Sequence, residues 1–181
     1  MTSSICSLVA LSAMTLAAQP MEPQRLAPFV PSPAQIIERM LEAANVKPGE
    51  IVVDLGCGDG RILVTAVQKF GAKAVGVELN PKLAKEASEM IARLGLQSHA
   101  RVVRGDIFGA DLTQADVVTL YLTTGSNEKL RPKLENSLRP GARVVSHDYG
   151  VRGWNPVDVQ EVFVHSRRHK IYLYEIGPRK N

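Results

Sequence analysis

Between residues 51 and 147, short apolar runs alternate with longer amphipathic stretches, and that alternation leaves the chain very few architectures. IVVDL (51–55), AVGVEL (74–79), RVVR (101–104), DVVTLYL (116–122) and ARVVSH (142–147) read as strands, most of them apolar on both faces. Between them, residues 61–70 form a helix closed by Gly71. Residues 81–94 form one that opens on Pro81 and is closed by Gly95, and 127–138 one stopped by Pro140-Gly141. Strands alternating with helices build a parallel sheet covered on both faces. The predicted fold class is α/β, a single Rossmann-like doubly wound sheet. Two β-rich runs, 159–164 and 170–176 around SRRH, add a C-terminal antiparallel hairpin at its edge.

The chain before the first strand divides in two. Residues 1–19 contain the uncharged run ICSLVALSAMTLAA, similar to the apolar core of a secretory signal or anchor, although MTSS carries no Lys or Arg. Residues 20–32 form a Pro-rich arm expected to run extended. The domain proper is 33–181. It opens on a helix with Ser32 as N-cap, Pro33 in the first turn and Ile36, Ile37, Met40, Leu41 and Ala44 on one face.

Composition removes several alternatives. Hydrophobic residues make up 45% of the chain, enough for one sizeable core. Cys6 and Cys57 belong to no CxxC pair, so no disulfide framework or zinc knuckle is expected. His165 and His169 need not share a face in a hairpin, and no metal site is expected from them. The net charge of +4 is scattered, without a compact basic run and interleaved aromatics, which argues against nucleic acid as the main partner.

The turn after the first strand carries the chemistry. VDLGCGDGR places Gly56, Gly58 and Gly60 on alternate positions behind Asp54. A dinucleotide fingerprint would need a glycine where Arg61 stands, and a P-loop would need GK[ST]. An acid at the strand end would repel a pyrophosphate and suits a ligand that brings positive charge. Glu78 closes the second strand, where a carboxylate can accept from both ribose hydroxyls. Asp106 follows the third, placed to accept from an exocyclic adenine amine. Three acids at three successive strand ends describe a cationic adenosine ligand.

VDLGCGDGR, GVELNP and RGDIF resemble, in order and spacing, the cofactor motifs of class I seven-strand methyltransferases that use S-adenosylmethionine (SAM). The resemblance implies the strand order 3-2-1-4-5-7-6, SAM as cofactor and S-adenosylhomocysteine (SAH) as product. It implies cofactor contacts from Asp54, Gly56, Cys57 and Gly58 at the methionine end, Glu78 and Leu79 at the ribose, and Asp106 and Ile107 at the adenine. APFVPSP, DGRI and SHDYGVRGWNP are similar to a compact group of lysine methyltransferases, including those of the adenine nucleotide translocase and the ATP synthase c-subunit, related in turn to Dot1-type enzymes. In that group an arm closes over the cofactor, which points to Phe29, Val30 and Pro31.

The fourth strand ends LYLTTG rather than the [DN]PP[YF] of amide and base-amine methyltransferases. The expected activity is therefore protein-lysine N-methylation. A small-molecule or RNA methyltransferase on the same scaffold and a non-catalytic SAM-binding protein are the alternatives. Tyr121 and Asp148 are the expected catalytic residues, with His147 and Tyr149 as further polar candidates and Trp154 as a channel wall. A protein substrate is the expected partner, with membrane association through residues 1–19. SAM places the chain in the cytoplasm or at a membrane facing it.

Overall fold

The computed structural model describes residues 29–178; the signal or anchor expected at 1–19 and most of the arm lie outside them. Among the described residues, seven strands form one sheet in the order β3-β2-β1-β4-β5-β7-β6. The strands are β1 (Ile51–Leu55), β2 (Lys73–Glu78), β3 (Ala100–Arg104), β4 (Val117–Leu120), β5 (Arg143–His147), β6 (Asp158–Val164) and β7 (Arg167–Glu175). The first five are mutually parallel. β7 runs antiparallel to both β5 and β6, as the reversed terminal hairpin requires.

Alternation along the strands builds two cores. Val52, Ala74, Val117, Val145 and Ile171 face α1 (Ala34–Ala43), α2 (Arg61–Phe70) and α3 (Pro81–Arg93). Val53, Leu55, Val118, Leu120 and Val144 face Leu130, Leu134 and Leu138 of α4 (Thr124–Ser137) and the residue just beyond it. Each layer leaves about 0.8 kcal/mol of transfer free energy per buried methylene to hold the helices on the sheet. Beyond the carboxyl ends of β1, β2 and β4 lies a cleft lined by residues of these strand ends and of the arm.

Two local expectations change. Ser32 does not cap α1: the N-cap is Pro33, no side chain caps the helix, and the Ser32 hydroxyl is drawn instead to the His147 ring, 2.9 Å away. The terminal hairpin is also tighter than SRRH implied. Val164 pairs with Arg167, so only His165 and Ser166 form the loop, both at positive φ (48° and 63°). Paired positive φ values match the right-handed twist of the flanking strands. Arg167, Arg168 and His169 consequently belong to β7, and His169 is directed inward.

Gly76, in the middle of β2, has no room for a side chain: a Cβ there would lie 2.5 Å from Cys57 Sγ and 2.7 Å from Leu63 Cδ1. Gly76→Ala is expected to destabilise the fold by about 1–3 kcal/mol, read as a lowered melting temperature. The displaced Cys57 would shift the neighbouring glycine turn, so ligand affinity should fall with stability.

Candidate active site

The strand order reverses between β1 and β4, which opens a crevice beyond their carboxyl ends. A cleft of about 970 Å³, counting the open space at its mouth, fills that crevice. It is large enough for a nucleoside-class ligand. Phe29 and Pro31 of the arm line it together with Asp54, Gly56 and Cys57 of β1 and its turn, Glu78 and Leu79 at the end of β2, and Asp106 and Ile107 after β3. Tyr121 and Leu122 line the side where β4 ends.

The glycine turn is hooked onto β2. Gly56 and Cys57 both donate their N–H groups to the Val77 carbonyl, at 2.9 and 3.1 Å. Gly58 donates to Glu78 Oε2 at 2.9 Å, and Asn80 to Glu78 Oε1 at 2.7 Å. Glu78 thus splints the turn and the start of α3 together. Each carboxylate oxygen keeps acceptor capacity for a ligand hydroxyl. Gly58 itself does not line the cleft. It lies beneath the Phe29 ring, which a Cβ would meet at 2.3 Å, and its φ is +56°. The expected contact from Gly58 is therefore with the arm.

Asp54 sits directly opposite Thr119 across β1 and β4, and the Thr119 hydroxyl donates to Asp54 Oδ1 at 2.6 Å. The residue is 2% exposed. Burial pushes its pKa up to about 7 against the lowering effect of the Thr119 bond, and the charges of Glu78 and Asp59 add to the rise. Among the described residues no cationic side chain pairs with it: Arg61 is committed to Asp59, with Nη2 to Oδ2 at 2.6 Å. Cys57 is buried against Gly76, and burial raises its thiol pKa, so it serves as packing rather than as a nucleophile.

The arm is tied at two points. Arg61 Nη1 donates to the Ser32 carbonyl at 3.1 Å, and the Ser32 hydroxyl meets His147 Nδ1. Those ties hold Phe29 and Val30 over the cleft although both are about half exposed. Asp106 is exposed and caps a short 3-10 turn, accepting from the Phe108 N–H at 3.0 Å, while Ile107 beside it is buried.

Tyr121 and Asp148 are not equivalent. Tyr121 lines the cleft and stacks on His147, with ring centroids 3.9 Å apart, and more distantly on Tyr149. Burial and the nearby Asp148 charge raise its phenol pKa. Asp148 lies behind this wall, not on it, where it meets Arg167, His169 and the Lys170 N–H. His147 is fully buried, and burial lowers its pKa to about 4. Trp154 does not wall a channel: its indole N–H donates to Glu135 at 2.7 Å and its ring packs on Tyr174, over the α4 face of the sheet.

Thr119, Ser32 and Arg61 complete the site without having been singled out for it from sequence. Thr119 was implicit in the β1–β4 register. Ser32 was disguised by Pro33, which made it look like a helix cap.

The donor set suits a SAM-type ligand: acidic at the β1 and β2 ends, uncharged at Leu79, Ile107 and Leu122, and roofed by an aromatic ring. Residues 54–158 match the ANTKMT methyltransferase domain model. A protein-lysine N-methyltransferase of Saccharolobus islandicus is 49% identical over 84% of this chain and 96% of its own length. The mouse adenine nucleotide translocase lysine N-methyltransferase is 34% identical over 82% of this chain and 63% of its own length. Among solved structures, an RNA methyltransferase from Salinibacter ruber in complex with S-adenosyl-L-homocysteine superposes with a TM-score of 0.77. It is 39% identical, covering 84% of this chain and 97% of that one.

Proposed function

Because the chain belongs to the ANTKMT methyltransferase domain family, and so is a SAM-dependent methyltransferase, we propose that its methyl acceptor is the side-chain amine of a lysine in a protein. The observation that carries this reading is the 49% identity to a protein-lysine N-methyltransferase along nearly its whole length. Tyr121 supports it, since it lines the cleft at the end of β4, where a lysine side chain would meet the cofactor.

Bound SAM supplies an electrophilic methyl group on a sulfonium. The chain's residues supply placement, which is the larger part of catalysis for an in-line displacement. Asp54 holds the cationic methionine end, and Glu78 accepts from the ribose hydroxyls while fixing the turn through Gly58. Asp106 and Ile107 hold the adenine, and Phe29 with Pro31 closes the roof and excludes water. A lysine ammonium, with an ordinary pKa near 10.4, must lose a proton before it can attack. The apolar and aromatic mouth at Tyr121 disfavours the charged form by desolvation, and the phenol oxygen orients the neutral amine.

A pH dependence follows from Asp54. With its pKa at about 7 in the empty fold, the carboxyl is neutral below that pH and attracts a cationic ligand poorly. Affinity for SAM should therefore rise as pH increases through 7, and Asp54→Asn should both lower affinity and flatten the profile, as read by calorimetry on either side of neutrality. The sign for the ligand-free fold is opposite. A folded-state pKa raised above the unfolded value contributes stability that is full below about pH 4 and lost as pH rises through about 7.

An RNA acceptor is the second reading, favoured by the 39% identity to the Salinibacter ruber structure. Incubation with methyl-labelled SAM and cell lysate separates the two. Label that protease releases and nuclease leaves in place supports the protein reading, and label that nuclease alone removes overturns it.

A further inference from the structure

His147 ends β5, Asp148 follows it, and His169 faces both from β7. His147 Nε2 lies 2.8 Å from His169 Nδ1 and 3.4 Å from Asp148 Oδ2, and His169 Nδ1 lies 3.2 Å from that same carboxylate oxygen. The three atoms close a triangle. A proton relay through an imidazole would enter at one ring nitrogen and leave by the other, yet both contacts of His169 fall on Nδ1. His147 Nδ1 lies 2.9 Å from the Ser32 hydroxyl, which fixes the ring with Nε2 facing the triangle. Three possible ligand atoms, one from each residue, thus converge within 4.8 Å of one another.

We propose that His147, His169 and Asp148 form a binding site for one divalent transition-metal ion of the Zn2+ class. Ligand bonds of about 2.0–2.2 Å in tetrahedral geometry place donor atoms about 3.3–3.6 Å apart. Two edges of the triangle, 3.2 and 3.4 Å, are already near that spacing, and only the His–His edge must open, by about half an ångström. Two imidazoles with one carboxylate favour Zn2+ or Co2+ over Mg2+ or Ca2+.

The outer contacts resemble those of built metal sites, where each ligand is held by a second partner. Ser32 fixes the His147 ring. Asp148 Oδ1 accepts the Lys170 N–H at 3.0 Å, and the Asp148 N–H donates to the Lys170 carbonyl at 2.7 Å. That clamp holds Asp148 at a φ of +59°, an uncommon conformation for a residue with a side chain. The Arg167 guanidinium, 3.2 Å from Asp148 Oδ2 and hydrogen-bonded to Tyr121, occupies the approach and must swing aside for an ion to enter; its side chain is 61% exposed. Three protein ligands leave a fourth position open. The site joins the arm, through Ser32, to the acceptor side of the sheet, and it does not depend on the identity of the methyl acceptor.

The test uses the full chain, stripped with a chelator and titrated with Co2+ and with Zn2+. One Co2+ per chain with tetrahedral-type visible absorption, displaced by Zn2+, is expected. His169→Asn and Asp148→Asn should each weaken binding by about tenfold or more, and Arg167→Gln should tighten it. His165→Ala, on the exposed hairpin loop, should leave it unchanged. SAH binding by each variant reports that it is folded. Absence of saturable binding of either ion by the unaltered chain overturns the proposal, as does binding that folded His169→Asn retains in full.

Discussion

Asp54→Ala and Glu78→Ala are each expected to lower the affinity for SAH by about 100-fold or more, and only the second should also lower stability near pH 8. Glu78 accepts from the Gly58 and Asn80 N–H groups. Its removal frees the turn as well as the ribose contacts, and hydrogen bonds to a charged group contribute about 1.5–3 kcal/mol each. The Glu78 variant should therefore melt at a lower temperature. Asp54 is held as a buried carboxyl whose ionisation burial opposes, with a pKa of about 7. Removing it relieves that strain at alkaline pH, so the ligand-free Asp54→Ala protein should melt no lower than the parent at about pH 8 even though its ligand site is lost. Calorimetric binding and thermal melting on the same preparations read both effects. An Asp54 variant with parental SAH affinity would contradict the assignment of the cleft.

Tyr121→Ala should have the second largest effect, this time on transfer rather than on binding. Tyr121 walls the cleft where β4 ends and covers His147 at a centroid distance of 3.9 Å. Truncation wets the mouth, raises the share of protonated lysine and removes the surface that orients the amine. A loss of about 100-fold in kcat/KM is expected, within the range for groups that position or move a proton, with SAH affinity changed by no more than about threefold. Tyr121→Phe separates the causes. It keeps the stack and the dry mouth, so an intermediate loss assigns the remainder to the hydroxyl. Equal turnover by Tyr121→Ala and the parent would move the acceptor entrance elsewhere.

Asp54, Glu78 and Asp106 were legible in the sequence because each ends or follows a strand, and strand ends in a parallel sheet converge on one edge whatever the packing behind it. The part of the cleft lined by β1, β2 and the turn after β3 is therefore written in local pattern. The part beside β4 and β5 is not. Asp148 and Tyr121 both end strands, yet the turn after β5 withdraws Asp148 behind the wall that Tyr121 forms. His169 was misread because the hairpin turns on His165 and Ser166, neither of which is a customary residue for two successive positive φ values. Moving the loop to those two residues brings His169 into β7 and against His147. Ser32 shows the same limit: its partner is 115 positions away, beyond anything local capping rules can register.

The methyl group of SAM should end on a lysine side-chain nitrogen of a protein. Mass-spectrometric mapping of lysate proteins after reaction with isotopically labelled SAM, with Asp54→Ala as the blank, tests it most directly. Label is expected on lysine Nε of one or a few proteins and absent from the blank. Label found only on nucleotides, small molecules or other side chains would contradict it.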